Sequence, residues 1–331
     1  MTKKNEQIGN SRRDFLKNSA MLASLLAMKP ISSYSYFNEQ ENGKVRQGKM
    51  HGIQIGAVSF VDEGVENVLD FLQKEVNINT LFITVFTYGR GLAGRQIPGH
   101  PMPDHGSQVS DESTYHGGNY AMSHPKFYAR TVLKETRAPE HGDFDVLAAV
   151  LPEAKKRGMK VFASVEDQWR QDVPGLSNLR EYDLYGRRAN TLCLFNPDVK
   201  EFWTALVADL CSSYPIDGIL FFNERNGPFL SALGASHFQS IDSSRATCFC
   251  EHHRKAAEAY GLDFKRVTEG YRKLDIFVQK ALKDIRPSDG YYVEFQRLLL
   301  DYPEITAYDE LFDLAKHQIL KDVYALSLIH I

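Results

Sequence analysis

Pro215-Ile216-Asp217-Gly218-Ile219-Leu220-Phe221-Phe222-Asn223-Glu224-Arg225-Asn226-Gly227-Pro228 is the stretch that decides the fold. Its run from Ile219 to Asn223 is apolar up to the last residue, preceded by Asp-Gly and followed by Asn-Gly-Pro. Apolar side chains on both faces between turn signals predict a buried parallel strand. Asn223, Glu224 and Arg225 then fall where the strand runs out. In α/β folds ligands gather beyond the carboxyl ends of the parallel strands, on their last residues and the loops that follow. Glu224-Arg225 is therefore a candidate site pair, in preference to an ordinary solvated loop pair.

Upstream of that strand the chain alternates strand and helix patterns. His51 to Phe60 is expected as a first strand, closed by Asp62-Glu63-Gly64. Val65, Val68, Leu69, Leu72 and Val76 recur at helical spacing and form one apolar stripe. Asn79 to Phe86 is the second strand, ended by Thr87-Tyr88-Gly89-Arg90. A long connection rich in Gly, Pro, His and Tyr follows, and a connection of that length in a compact domain is usually functional or disordered. Asp143 to Arg157 is the next helix, with Pro152 predicting a kink or a late start. Lys160 to Val165 is the third strand, with Glu166, Asp167, Gln168 and Trp169 at its mouth. Asn196-Pro197-Asp198 is a helix start with Asn as cap, Pro at the first helical position and an acid at the positive end. Val199, Phe202, Trp203, Leu206, Val207, Leu210 and Cys211 then make a stripe that places Trp203 in the core.

Beyond Gly227-Pro228 the chain reads as helix: Ser244 to Tyr260, Phe264 to Ile285, Tyr291 to Leu300 and Tyr308 to Ala325. Repeated βα units predict a (β/α) barrel or an open doubly wound sheet. No Gly-x-Gly-x-x-Gly or Walker pattern follows an expected strand, which weighs against a nucleotide-binding sheet. A (β/α)8 barrel needs eight strands, and only the first half or so is visible here.

The two ends carry other signals. Ser11-Arg12-Arg13-Asp14-Phe15-Leu16-Lys17 matches the twin-arginine export consensus, and an apolar stretch from Ala20 to Met28 follows it, too short to span a bilayer. Residues 1–42 are expected to be a signal peptide and linker, 51–325 the N-terminal part of a barrel domain. The expected partners are the twin-arginine export machinery and then a periplasmic or extracellular substrate, with no stable membrane insertion after cleavage. Leu326 to Ile331 has the sequence that a common sequencing adapter encodes in frame, which implies that the chain is the front of a longer protein. Apolar content of 43%, charged content of 24% and a net charge of -3 are those of an ordinary globular chain and do not suggest a nucleic-acid partner. Four cysteines do not make a disulfide framework.

Asn196-Pro197-Asp198-Val199, Phe202-Trp203, Asp217-Gly218-Ile219 and Glu224-Arg225-x-Gly227-Pro228 together resemble a family of glycoside-hydrolase-like (β/α)8 barrel proteins. Cys248-Phe249-Cys250 followed by a helix and Gly261-Leu262-Asp263 is similar to the same group. More distantly, Asn223-Glu224 at the end of the fourth strand is similar to the Asn-Glu pair of the large retaining glycosidase clan. That resemblance implies a carbohydrate substrate, Glu224 as proton donor and Asn223 as the contact to a sugar hydroxyl. It places the nucleophile on a seventh strand, which this chain does not reach.

Cleaving a glycosidic bond takes an acid on the leaving oxygen and a second carboxylate at the anomeric carbon. Glu166 and Asp167 are the second-carboxylate candidates here and are kept as substrate-binding groups, of which one at most points inward at a given height. Arg225 is expected to turn outward or to pair with another acid, since facing Glu224 it would favour the ionised carboxylate. Tyr88 and Trp169 are candidate sugar platforms, and Asp62 completes the set of strand-end groups. Rival assignments are a metal-dependent sugar isomerase or epimerase and a carbohydrate-binding barrel without catalysis. Cys248, Cys250 and His253 have metal-ligand spacing, but no fourth ligand is apparent in the sequence, so no metal and no cofactor are assigned.

Overall fold

A computed structural model describes residues 49–87, 118–134, 136–139, 141–166, 173, 175–222, 225–235 and 242–330. Its centre is a parallel sheet of β1 (Gly52–Gly56), β2 (Thr80–Thr87), β4 (Lys160–Glu166) and β7 (Gly218–Phe222), joined in that spatial order. A two-residue strand, β3 (Gly118–Asn119), pairs antiparallel with the end of β2. β5 (Arg180–Tyr182) and β6 (Arg188–Leu192) form a separate antiparallel hairpin between β4 and the next helix.

Each parallel strand lies beside its predecessor in the chain, with no reversal of order. A doubly wound sheet has a point where the order switches and its ligand crevice opens there. This sheet has none among the described strands, so it winds in one direction, as a barrel sheet does. Four parallel strands are described rather than a closed barrel.

One face of the sheet is buried by helices α2 (Val65–Lys74), α3 (Val146–Lys156) and α4 (Pro197–Ser213), each lying between consecutive parallel strands. Ile53, Ile55, Leu81, Ile83, Val85, Val161, Ala163, Val165, Ile219 and Phe221 meet Leu69, Leu72, Val150, Leu151, Phe202, Trp203 and Leu206 in a single apolar cluster. The long α9 (Glu304–His330) adds Phe312, Ala315, Ile319 and Val323 to it. Its other apolar residues, Ile305, Tyr308 and Leu311, join a second cluster with α5 (Pro228–Ala232), α6 (Glu251–Ala259), α7 (Phe264–Leu282) and α8 (Gly290–Asp301).

Local signals account for most of these boundaries. Asn196 caps α4, its side chain accepting from the Asp198 amide at 3.0 Å, with Pro197 in the first turn. Asp145 caps α3 through the Leu147 and Ala148 amides, so the helix starts later than Asp143, and Pro152 stays inside it.

Two expectations need correction. The first strand ends at Gly56, not Phe60, because Ala57–Glu63 folds as a helix, α1, with Ala57, Val58 and Phe60 buried. The helix expected from Ser244 begins only at Glu251. Residues 247–249 are instead held in extended form by the β5–β6 hairpin: Thr247 bridges Asp183, and the Phe249 amide donates to the Tyr182 carbonyl at 2.7 Å. Backbone pairing with a distant partner outweighs helix propensity there.

Candidate active site at the carboxyl edge of the sheet

The face of the sheet away from the helices carries different residues. Phe82 of β2 and Phe162 of β4 meet with ring centroids 5.2 Å apart. Gly52 and Gly218 flank them, and a Cβ at either position would come within 2.6 or 2.7 Å of a ring. Large residues on the middle strands fitted against glycine on the outer ones give the alternation of sizes that fills a small barrel.

Higher on the same face stands the Glu166 carboxylate, the last residue of β4, 8% exposed. It accepts from the Thr87 hydroxyl of β2 and, at 3.4 Å, from the Gln54 amide of β1. A bulge in β2 makes the first contact possible. The register runs from Thr84 opposite Ser164 directly to Phe86 opposite Val165. Val85 and Phe86 both enter the helix-covered core in consequence, and Thr87 is returned to the other face. Side chains of three strands thus converge on one carboxylate at the carboxyl end of the sheet. Glu166 lies opposite Phe222 in the β4–β7 register, and Glu224 is two positions beyond Phe222 in the chain.

Arg225 is half-buried and pairs with an acid, at the hairpin. Its Nη1 donates to the Leu192 carbonyl at 2.7 Å and stands 3.4 Å from Glu181 Oε1. Glu181, itself buried, also accepts from the hydroxyls of Thr191 and Thr247 at 2.6 and 2.7 Å. Lys316 of α9 donates to the Arg225 carbonyl at 3.2 Å. Asn226 donates to the Ala235 carbonyl, and the Phe229 amide to Asp309. Gly227 is pressed so closely against Asp309 that a Cβ there would lie 2.1 Å from its Oδ1. The loop after β7 is therefore held from the hairpin and from α9, and Arg225 acts as its anchor.

The remaining expected site residues divide simply. Asp62 is not at a strand mouth; it lies exposed in α1, because β1 has already ended at Gly56. Tyr88, Asp167, Trp169, Asn223 and Glu224 fall outside the described residues, as does the stretch 1–42 expected to be a signal peptide and linker.

A second constellation adjoins the hairpin, beginning at the residue after β6. Cys193, Cys248, Cys250 and His253 are all buried, and their donor atoms lie within 4.8 Å of one another. Cys193 Sγ is 3.4 Å from Cys250 Sγ and 3.2 Å from His253 Nδ1, and Cys250 Sγ is 3.8 Å from the same nitrogen. Cys248 and Cys250 alternate along the extended segment, so both face the same side. His253 follows Cys250 by three residues across the start of α6, the interval that shares a helix face. Burial, with hydrogen bonds from Cys193 and Cys250, pushes the Cys248 thiol well up. Hydrogen bonds from Cys193 and Cys248 pull Cys250 well down. The fourth donor that short spacing could not supply is Cys193.

No family model and no curated protein matches the chain. Among solved structures it is similar to alpha-L-fucosidase isoenzyme 2 from Paenibacillus thiaminolyticus, at 14% identity and a TM-score of 0.41 over 69% of this chain and 29% of that one. It is also similar to the GH20 exo beta-N-acetylglucosaminidase from Vibrio harveyi, at 14% identity and a TM-score of 0.36 over 68% of this chain and 34% of that one. The chain thus spans about a third or less of the length of these structures.

Gln54, Thr87, Glu181 and Cys193 escaped the sequence analysis. Gln54 carried a signal, since it is a polar side chain flanked by Ile53 and Ile55 within a strand. Thr87 carried none, because its direction depends on the bulge. Glu181 and Cys193 have partners far along the chain, which spacing does not show.

Proposed function

We propose that the chain serves an exported glycoside hydrolase built on a (β/α)8 barrel, with Glu224 as the acid/base. The observation that carries this is the sheet that winds in one direction and gathers Gln54, Thr87 and a buried Glu166 at its carboxyl edge, beside the strand that runs into Asn223-Glu224. The twin-arginine motif supports export, and the Asn-Glu pair supports the choice of glycoside chemistry. Glu224 protonates the leaving oxygen as the glycosidic bond breaks, and Asn223 hydrogen-bonds a sugar hydroxyl. Glu166, held by Thr87 and Gln54, binds substrate on the neighbouring strand. Arg225 takes no part in the proton transfer: paired with Glu181 and Leu192, it fixes the loop that carries Glu224. Rigid placement matters because catalysis falls steeply when a donor is displaced by an ångström.

The test is Glu224→Gln, assayed on a panel of aryl glycosides that differ in leaving-group acidity. Turnover should fall roughly a hundredfold or more for poor leaving groups and much less for activated ones, which need little protonation. A uniform loss across the panel, with weakened binding, would make Glu224 a positioning residue and sink the assignment.

A further inference from the structure

From the convergence of four buried donors, we infer that Cys193, Cys248, Cys250 and His253 form a structural zinc site that fastens the β5–β6 hairpin to the start of α6. Three sulfurs and one imidazole nitrogen lie within 4.8 Å of one another, which is the donor set and the span of a tetrahedral Cys3His centre. Soft thiolates with one imidazole select zinc over the harder calcium and magnesium.

The imidazole supports this independently of the distances. Among the described residues its only hydrogen-bonding contacts are sulfur, through Nδ1, while Nε2 is buried without a partner. Aromatic rings surround the rest of it: Phe195 edge-on at 4.8 Å, with Tyr308 and Phe312 at 6.2 Å. A histidine placed this way has one nitrogen with a use, and it points where the thiols point. The segment carrying two of the cysteines is fixed by contacts of its own. Tyr308 donates to the Cys248 carbonyl at 2.6 Å, and the Phe249 amide to Tyr182. The donors therefore converge through the surrounding fold, with no covalent link between Cys193 and Cys250.

A disulfide is the competing chemistry, since Cys193 and Cys250 Sγ stand 3.4 Å apart. It would join two of the four donors and leave Cys248 and His253 facing a bridge that neither can coordinate. The centre is structural because all four positions are filled by protein, with no open site for water or substrate. Its place in the fold gives it a consequence. Cys193 follows Leu192, whose carbonyl holds Arg225, the residue next to Glu224. Only this consequence, and not the metal site, rests on the function proposed above.

Zinc is measured by mass spectrometry on the whole chain purified without chelators. About one zinc per chain is expected, and replacing it with cobalt should give the strong visible bands of tetrahedral thiolate coordination. Cys193→Ser and Cys248→Ser should each lose the metal and unfold at lower temperature. Cys211→Ser, which changes a buried cysteine outside the cluster, should keep it. His253→Cys preserves four donors and should retain zinc. If the serine variants yield no folded protein, the wild type still decides: its cluster thiols should resist a thiol reagent until a chelator removes the metal, with zinc release matching the thiols exposed. Protein with less than a tenth of an equivalent of metal, unchanged in melting temperature by added zinc or by chelator, would overturn the site. So would a Cys193–Cys250 disulfide found in metal-free native protein.

Discussion

At the scale of single residues, Asp309 shows how the loop after β7 depends on its environment. Burial raises its pKa from 3.8 to about 6, and nearby Asp313 and Glu310 add to the rise while the Phe229 amide and Lys316 oppose it. A group whose folded pKa is raised binds its proton more tightly when folded. The fold is therefore favoured below pH 4 and loses that advantage as pH climbs from 3.8 through about 6. Keeping the carboxylate ionised costs up to about 3 kcal/mol above pH 6. Asp309→Asn keeps the acceptor for Phe229 and removes the charge. Its denaturation midpoint should exceed that of the wild type at pH 8, with the gap shrinking to about a third of that by pH 4.5. A gap of constant size across that range would show that folding does not shift the Asp309 pKa. Arg225 and Glu166 make the complementary point: both were legible as polar groups at strand ends, but their partners were not. Arg225 finds Glu181, and Glu166 finds Thr87 and Gln54, through contacts between strands and loops far apart in the chain.

At the scale of elements, α4 holds the sheet. Trp203 is 1% exposed and meets Phe86 of β2 and Phe221 of β7 edge-on, each at 5.4 Å, with Phe202 at 5.1 Å. Trp203→Ala should destabilise the protein by about 3–5 kcal/mol, since the cavity lies between a helix and two strands that cannot collapse together. Urea denaturation checks this, and a loss below about 1 kcal/mol would mean that the helix–sheet packing is not as described. This helix was fully legible, because its cap, its proline and its 3.6-residue stripe are local properties. The short α1 and the late start of α6 were not legible. Residues 57–60 continue the strand's apolar run, and the segment before Glu251 is captured by the hairpin, so in neither case does the local pattern contain the deciding contact.

At the scale of the whole molecule, the parallel strands in chain order place their carboxyl ends on one edge, and Glu166 and Thr87 lie there. No helix among the described residues is long and apolar enough to cross a membrane. The proposed export rests on the Arg12-Arg13 pair. Changing both to Lys should leave the precursor in the cytoplasm, as shown by fractionation of expressing cells. Equal delivery of the two forms would remove the twin-arginine assignment.

The sequence by itself determined the main alternation of strand and helix, the helix caps, the core stripes and the place of Glu166 at a strand end. These follow from residue spacing, since a period of two or of 3.6 fixes which side chains share a face before any long-range contact forms. Only the tertiary structure decided where those groups point and what they meet. A one-residue bulge in β2 turns Thr87 to Glu166. Packing also brings Cys193 to Cys250, 57 residues away in the chain. Contacts of that kind are set by the fold as a whole, and no spacing along the chain contains them.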